Sequence, residues 1–176
     1  MRNLMKLGGV LMMAVILMFI TVKSYADQSE CKNSEFFMNE NNSKTIVQRF
    51  NKEVIVDLNR KSFDELMSTD FINHSAASGT DNGPNSMWNT FSNVLHPAIS
   101  NLNVEILDQI VEGDKVVTRK RITGRHTGSL MGIEATGRDV SIDVIDIIRV
   151  KNGQYAEHWG LNTFGAVIQE LKSAEN

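Results

Sequence analysis

Asp146 and Glu157 are the carboxylates best placed in this sequence to move a proton. They lie in Ser141–Trp159, which reads as two strands joined at Asn152-Gly153. Asn-Gly suits a type I′ hairpin turn because both residues tolerate positive φ. A two-residue loop sets Val150 opposite Tyr155, Ile148 opposite Glu157 and Asp146 opposite Trp159. Side chains alternate along a strand, so Ile142, Val144, Asp146, Ile148 and Val150 share one face. The partner strand adds Tyr155, Glu157 and Trp159 to that face. Two carboxylates and an indole on an apolar surface form the wall of a pocket. Burial of a carboxyl raises its pKa toward neutrality, which suits proton abstraction beside a carbonyl. The plain alternative for either is an ion pair with Arg119, Arg121 or Arg149.

The histidines extend the candidate set. His74 follows a helix and can serve as acid or base, or hydrogen-bond a carbonyl in the core. His126 closes a Thr- and Gly-rich strand and is expected at the pocket rim. His158 alternates away from Glu157 and Trp159, toward the outer face. His96, before Pro97, reads as a loop residue. None shows the His-x-His or His-x-x-x-His spacing that metal sites often use, so no metal is expected. No glycine-rich loop opens a helix to cradle phosphate, and no nucleophile elbow is present. Trp88 and Trp159 serve either as core or as a ligand platform.

The elements that must position these groups follow from periodicity. Val47, Phe50, Val54 and Leu58 recur at helical spacing, with Ser43 as cap. Ser62-Phe63-Asp64-Glu65 is a capping-box pattern opening a short second helix. Phe71–His74 is a short extended piece. Pro84 opens a third helix carrying Met87, Phe91, Val94 and Leu95, and Pro97 ends it. Strands over 102–111, 116–127 and the hairpin follow, with a glycine-punctuated excursion over 128–137. Phe164–Lys172 closes as a helix. Helices first and antiparallel strands after predict α+β, a curved sheet with helices across its concave face.

Residues 1–26 read as an export signal. Arg2 and Lys6 precede the apolar run Leu7–Ile20, and Ser24-Tyr25-Ala26 suits cleavage before Asp27. The run is short for a spanning helix, so the signal segment is the one membrane contact expected. A polar, flexible leader is read over 27–43 and one domain over 44–173. The expected location is periplasmic or secreted. Removing Arg2, Lys6 and Lys23 moves the net charge from −3 to −6. An acidic chain without a basic stripe argues against nucleic acid and anionic membranes as partners. A single cysteine cannot form an intramolecular disulfide, so the domain stands on its core.

Several short motifs, in this order, resemble the SnoaL-like polyketide cyclase or ester cyclase family of the nuclear-transport-factor-2-like superfamily. They are Asn73-His74, Gly83-Pro84, Glu112–Val117, Arg125–Gly128, Met131–Ile133, Thr136–Arg138, Asp146–Arg149, Asn152-Gly153 and Glu157–Gly160, within about 45–171. The resemblance implies a cone-shaped α+β barrel around an apolar cavity, dimeric in many members through the outer face of the sheet. It implies cofactor-free aldol closure of a polyketide ester through an enolate. A carboxylate near the Glu-His-Trp strand is the acid/base there, often an aspartate shortly after the tryptophan. This chain has Gly160, Leu161, Asn162 and Thr163 in that stretch. The expected catalytic set is therefore Asp146, His74 and Glu157. Trp159, Trp88, His126, Arg119 and Asn162 are the expected ligand contacts. The function expected is acid–base chemistry on a small apolar carbonyl compound, or binding of such a molecule without turnover.

Overall fold

The computed structural model describes residues 38–173, with Gln28 and Lys32. The chain divides into Met1–Asn39 and a body, Glu40–Asn176, that holds every element below. The export segment read over 1–26 lies outside the described residues. Among the described residues no helix is long and apolar enough to cross a membrane.

Residues 40–49 are helical and run into a π-helical stretch, Phe50–Val56; together they form α1. The helix is thus already formed ahead of Ser43, the residue read as its cap. Val47, Phe50 and Val54 are buried from it, as their spacing predicts. Leu58 turns the chain at φ 51. Asn59 then caps α2, Arg60–Leu66, its side chain accepting from the Ser62 N–H. The sequence pattern puts the cap at Ser62. Asparagine caps as well as serine, and starting three residues earlier lets Ser62 and Phe63 be buried inside the helix. Strand β1, Met67–Asn73, is longer than the extended piece expected.

Helix α3 opens at Gly83 with Pro84 in its first turn. It runs through Pro84–Asn89, a π-helical Thr90–Leu95 and a last turn, His96–Ala98. Pro97 sits in that last turn, and the helix ends one residue beyond it. His96 is consequently no loop residue: its ring N–H donates to the Ile55 carbonyl at 2.8 Å and ties α3 to α1.

Strands β2 (Ile99–Glu112), β3 (Lys115–His126), β4 (Asp139–Lys151) and β5 (Gln154–Asn162) follow, then α4, Phe164–Lys172. The sheet order is β1-β5-β4-β3-β2. All pairs are antiparallel except β1 with β5, which is parallel. The result is the α+β fold expected, a bent and open sheet with its inner face covered by helices. Phe50 of α1 stacks on Tyr155 of β5, ring centroids 4.1 Å apart. Phe50 is 2% exposed, so truncation to alanine would cost about 3–5 kcal/mol. The excursion between β3 and β4 buries Leu130 and Ile133, which pair with each other.

The β4–β5 hairpin turns at Asn152 (φ 53) and Gly153 (φ 75), as the Asn-Gly pair predicts. Val150 pairs with Tyr155. Beyond that pair the register shifts at a β-bulge, and Ala156 is the extra residue. Arg149 then faces Glu157, Ile148 faces His158, Ile147 faces Trp159 and Asp146 faces Gly160. A one-residue slip reverses every later side chain. The expected pairs Ile148–Glu157 and Asp146–Trp159 do not form. The physical reason is charge: an unbulged strand would press Glu157 onto the buried Ile148, away from the Arg149 and His74 partners it has on the outer face.

Candidate active site

The inner face of the sheet and helices α1 and α3 enclose a cavity of about 300 Å³. Phe50, Ile55, Phe91 and Leu95 wall it from the helices, and Ile122, Ile142 and Ile148 from the sheet. Polar groups converge on its floor.

Lys120 and Asp146 come from neighbouring strands. Lys120 pairs with Val144 and Thr118 with Asp146, so the two charged residues are diagonal neighbours on one face. Lys120 Nζ lies 2.7 Å from Asp146 Oδ2, with the side chains 5% and 6% exposed. The same ammonium donates to Asn51 Oδ1 at 2.8 Å. Asn51 in turn donates its amide to the Val47 carbonyl, which fixes its oxygen toward the lysine. An ammonium has three N–H donors, so one remains on a residue that lines the cavity. Asp146 Oδ1 is buried and has no partner among the described residues. At the floor, Lys120 thus keeps one N–H and Asp146 one buried oxygen uncommitted, side by side.

His158 supplies a second acceptor. Asn73 Oδ1 accepts from the Ser75 N–H at 3.0 Å and contacts His158 Nδ1 at 2.8 Å. An oxygen already accepting at that position leaves Nδ1 as the donor, so Nε2 keeps its lone pair. Burial holds His158 below the usual histidine range, against the opposing pull of the Asp146 charge. The ring is neutral at pH 7. Tyr155, fully buried on the same face, has its phenol pushed well up by burial first and by Asp146 second. Ser75 Oγ accepts from the Gly160 N–H at 2.7 Å, and the His74 N–H bonds the His158 carbonyl. The segment 73–75 is therefore bolted along β5.

The bulge separates the expected catalytic trio. Asp146 stands in the cavity. His74 and Glu157 lie on the outer face, with His74 Nε2 2.8 Å from Glu157 Oε2. Glu157 Oε1 is 2.7 Å from Arg149 Nε, and Arg149 Nη1 bonds Asp114. The His74 bond, then Arg149, holds the Glu157 carboxyl below the usual carboxylate range. The alternative reading of Glu157, an ion pair with Arg149, is what the structure displays. Trp159 is outside too, its ring stacked on His74 at 4.5 Å and 6°.

The other expected contacts divide similarly. Asn162 lines the cavity, and its Oδ1 accepts from the Phe164 N–H. Trp88 packs against the Phe63 ring and the Arg60 guanidinium, away from the cavity lining. His126 is fully buried against Thr136 rather than at the rim. Arg119 lies on the outer face in a shallow groove with Arg121, Ile145 and Leu161. Sequence reasoning missed Lys120, Asn51, Asn73 and Ser75, and placed His158 outside. Lys120 carried a signal: it alternates in phase with Val116, Thr118 and Ile122, a lysine on an otherwise buried stripe. Among the described residues no group of three His, Cys, Asp or Glu side chains could hold a metal ion.

The family model of the SnoaL-like polyketide cyclase matches residues 45–171. The chain belongs to that family. Solved structures agree in fold. A SnoaL-like protein of Jannaschia sp. CCS1 is 25% identical, with 76% of this chain and 94% of that one covered and a TM-score of 0.66. TsrD of Streptomyces laurentii is 23% identical over 74% of this chain and 94% of its own, TM-score 0.65. IdmH of Streptomyces antibioticus is 20% identical over 74% and 98%, TM-score 0.62. No curated protein matches the chain closely enough to count as a relative. A SnoaL-like fold supports a cofactor-free, cyclase-type function.

Proposed function

We propose that the cavity takes a small apolar carbonyl compound and that Asp146 is the proton acceptor in acid–base chemistry on it. One observation carries this reading: Asp146 Oδ1 is buried, unpartnered and beside the free N–H of Lys120, on the floor of an apolar cavity. The carbonyl oxygen accepts from Lys120, which leaves the adjacent C–H over Oδ1. The proton passes from carbon to Oδ1. The electron pair moves onto the carbonyl oxygen as an enolate, and the ammonium faces the new charge. Closure of the enolate carbon on a second carbonyl forms the C–C bond of an aldol, and the alkoxide takes the proton back. His158 Nε2 stands by as a second acceptor.

A second reading is favoured by Gly160. The family's acid/base aspartate often follows the tryptophan, and here that stretch has no carboxylate. A protein of this kind holds its ligand without turnover.

Proton exchange separates the two. Wild-type protein should speed deuterium incorporation next to the carbonyl of 2-tetralone, and Asp146→Asn should slow it by roughly 10²–10⁴-fold with affinity little changed. An undiminished rate in the variant removes Asp146 from the chemistry. Binding without any acceleration establishes the second reading.

The setting proposed for this activity is the periplasm or the exterior, with 1–26 removed as an export signal. N-terminal sequencing of the exported chain should begin at Asp27. Pairing with a second copy through the outer face completes the proposal, supported by the exposed Ile145 and Leu161 there. Sedimentation should then give twice the mass of one chain.

A further inference from the structure

The charges on the cavity floor cancel. Among the described residues that line it, Lys120 is the one full cation and Asp146 the one full anion, 2.7 Å apart. His158 adds a neutral ring. The ammonium is already committed to Asp146 Oδ2 and Asn51 Oδ1. An anionic ligand would shed its water and arrive beside the Asp146 carboxylate, whose buried Oδ1 has no partner of its own. A cationic ligand would find Oδ1 but lie against the Lys120 ammonium. Either would be a charge buried without a counter-charge of its own. An uncharged ligand meets neither obstacle: its acceptor takes the last Lys120 N–H and its donor satisfies Oδ1.

We propose that the Lys120–Asp146 pair makes the cavity selective for uncharged ligands, and that Asp146 is the residue that turns carboxylates and phosphates away. The inference rests on the reading of this cavity as a ligand site, but not on any turnover within it. It assigns Asp146 a role in specificity separate from proton transfer.

Three probes of one shape and three charges test it: benzamide, benzoate and benzamidinium. Benzamide offers a carbonyl to Lys120 and an N–H to Oδ1. By titration calorimetry at neutral pH, wild-type protein should bind benzamide at least about tenfold more tightly than either ion. In Asp146→Asn the lysine charge is released, and benzoate should gain at least about tenfold relative to benzamide. Benzoate or benzamidinium binding the wild type as tightly as benzamide overturns the proposal. So does an unchanged benzoate-to-benzamide ratio in the variant. The wild-type series needs no substitution, so the proposal stays falsifiable even if Asp146→Asn fails to fold. Failure of all three probes to bind overturns the ligand-site reading and this inference with it. Loss of 2-tetralone exchange with charge selectivity intact would remove the proposed chemistry and leave the selectivity standing.

Discussion

Asp146 and Gly160 face each other across β4 and β5, so the cavity carboxylate stands opposite a residue with no side chain. A Cβ at position 160 would lie 3.6 Å from the Asp146 Cβ and 2.7 Å from His158 Nε2. The first distance is ordinary contact. The second is not, so the absence of a side chain at 160 is what leaves room for the imidazole in the cavity lining.

Gly160→Ala should therefore push the His158 ring aside and break its bond to Asn73 Oδ1. The backbone accepts the change, so the protein should fold with a loss of about 1–3 kcal/mol, typical of overpacking. Denaturant titration gives the stability, and the histidine ring signals in NMR report the displacement. A variant with wild-type stability and unmoved ring signals would show that the floor has slack there.

Lys120→Met leaves Asp146 as an unpaired buried anion. The expected cost is about 3–5 kcal/mol in urea unfolding. The double change Lys120→Met with Asp146→Leu removes both charges and should recover most of that loss. A double variant as unstable as the single would mean that Lys120 matters for its packing rather than its charge.

The acid limb of stability contains a His158 contribution with a definite sign. Its folded pKa is lowered by burial, while the unfolded ring titrates near ~6.5. Above that value both states are neutral and the contribution is full. As the pH falls, the unfolded chain takes the proton first, so stability drops until the folded value is passed. His158→Gln should flatten the melting temperature between pH 7 and pH 5. A variant with the wild-type slope would assign that limb to other groups.

Glu157 titrates in a lower window. His74 and Arg149 hold its carboxyl down, so its contribution is full above ~4.3 and lost as the pH falls through the lowered value. Glu157→Gln should lower the melting temperature modestly at pH 7, less at high salt, and not at strongly acid pH. Exchange on 2-tetralone should be unchanged, since Glu157 is on the face away from the cavity. A large loss of exchange would return Glu157 to the chemistry.

Much of the architecture is legible in periodicity and turn chemistry. The helical stripe of Val47, Phe50 and Val54, the Pro84 start, the Asn152-Gly153 turn and the closing helix all stand where local rules put them. The site was half legible. Asp146 is found because its whole strand alternates without interruption. His158, Glu157 and Trp159 are assigned to the wrong faces because counting by twos from the turn presumes an unbroken ladder. The bulge at Ala156 follows from contacts distant in sequence, Tyr155 on Phe50 and Glu157 on Arg149, which no local pattern contains. Lys120 was visible as a phase anomaly, but a lone lysine in a strand gives no sign of its partner until the register of β3 with β4 is known.

The bulge also makes the far half of β5 a matter of parity. Whether a residue there belongs to the cavity or to the outer surface depends on the count of residues between it and Tyr155 being odd or even. Loss of the single codon for Ala156 would remove the extra residue and leave the pairs Arg149–Glu157, Ile148–His158 and Asp146–Gly160 in a regular ladder. Straightening the strand with Ala156 retained would instead trade His158 and Gly160 for Glu157 and Trp159. Substitution alters this pocket one side chain at a time, whereas a shift of register along β5 would replace its chemistry in a single step.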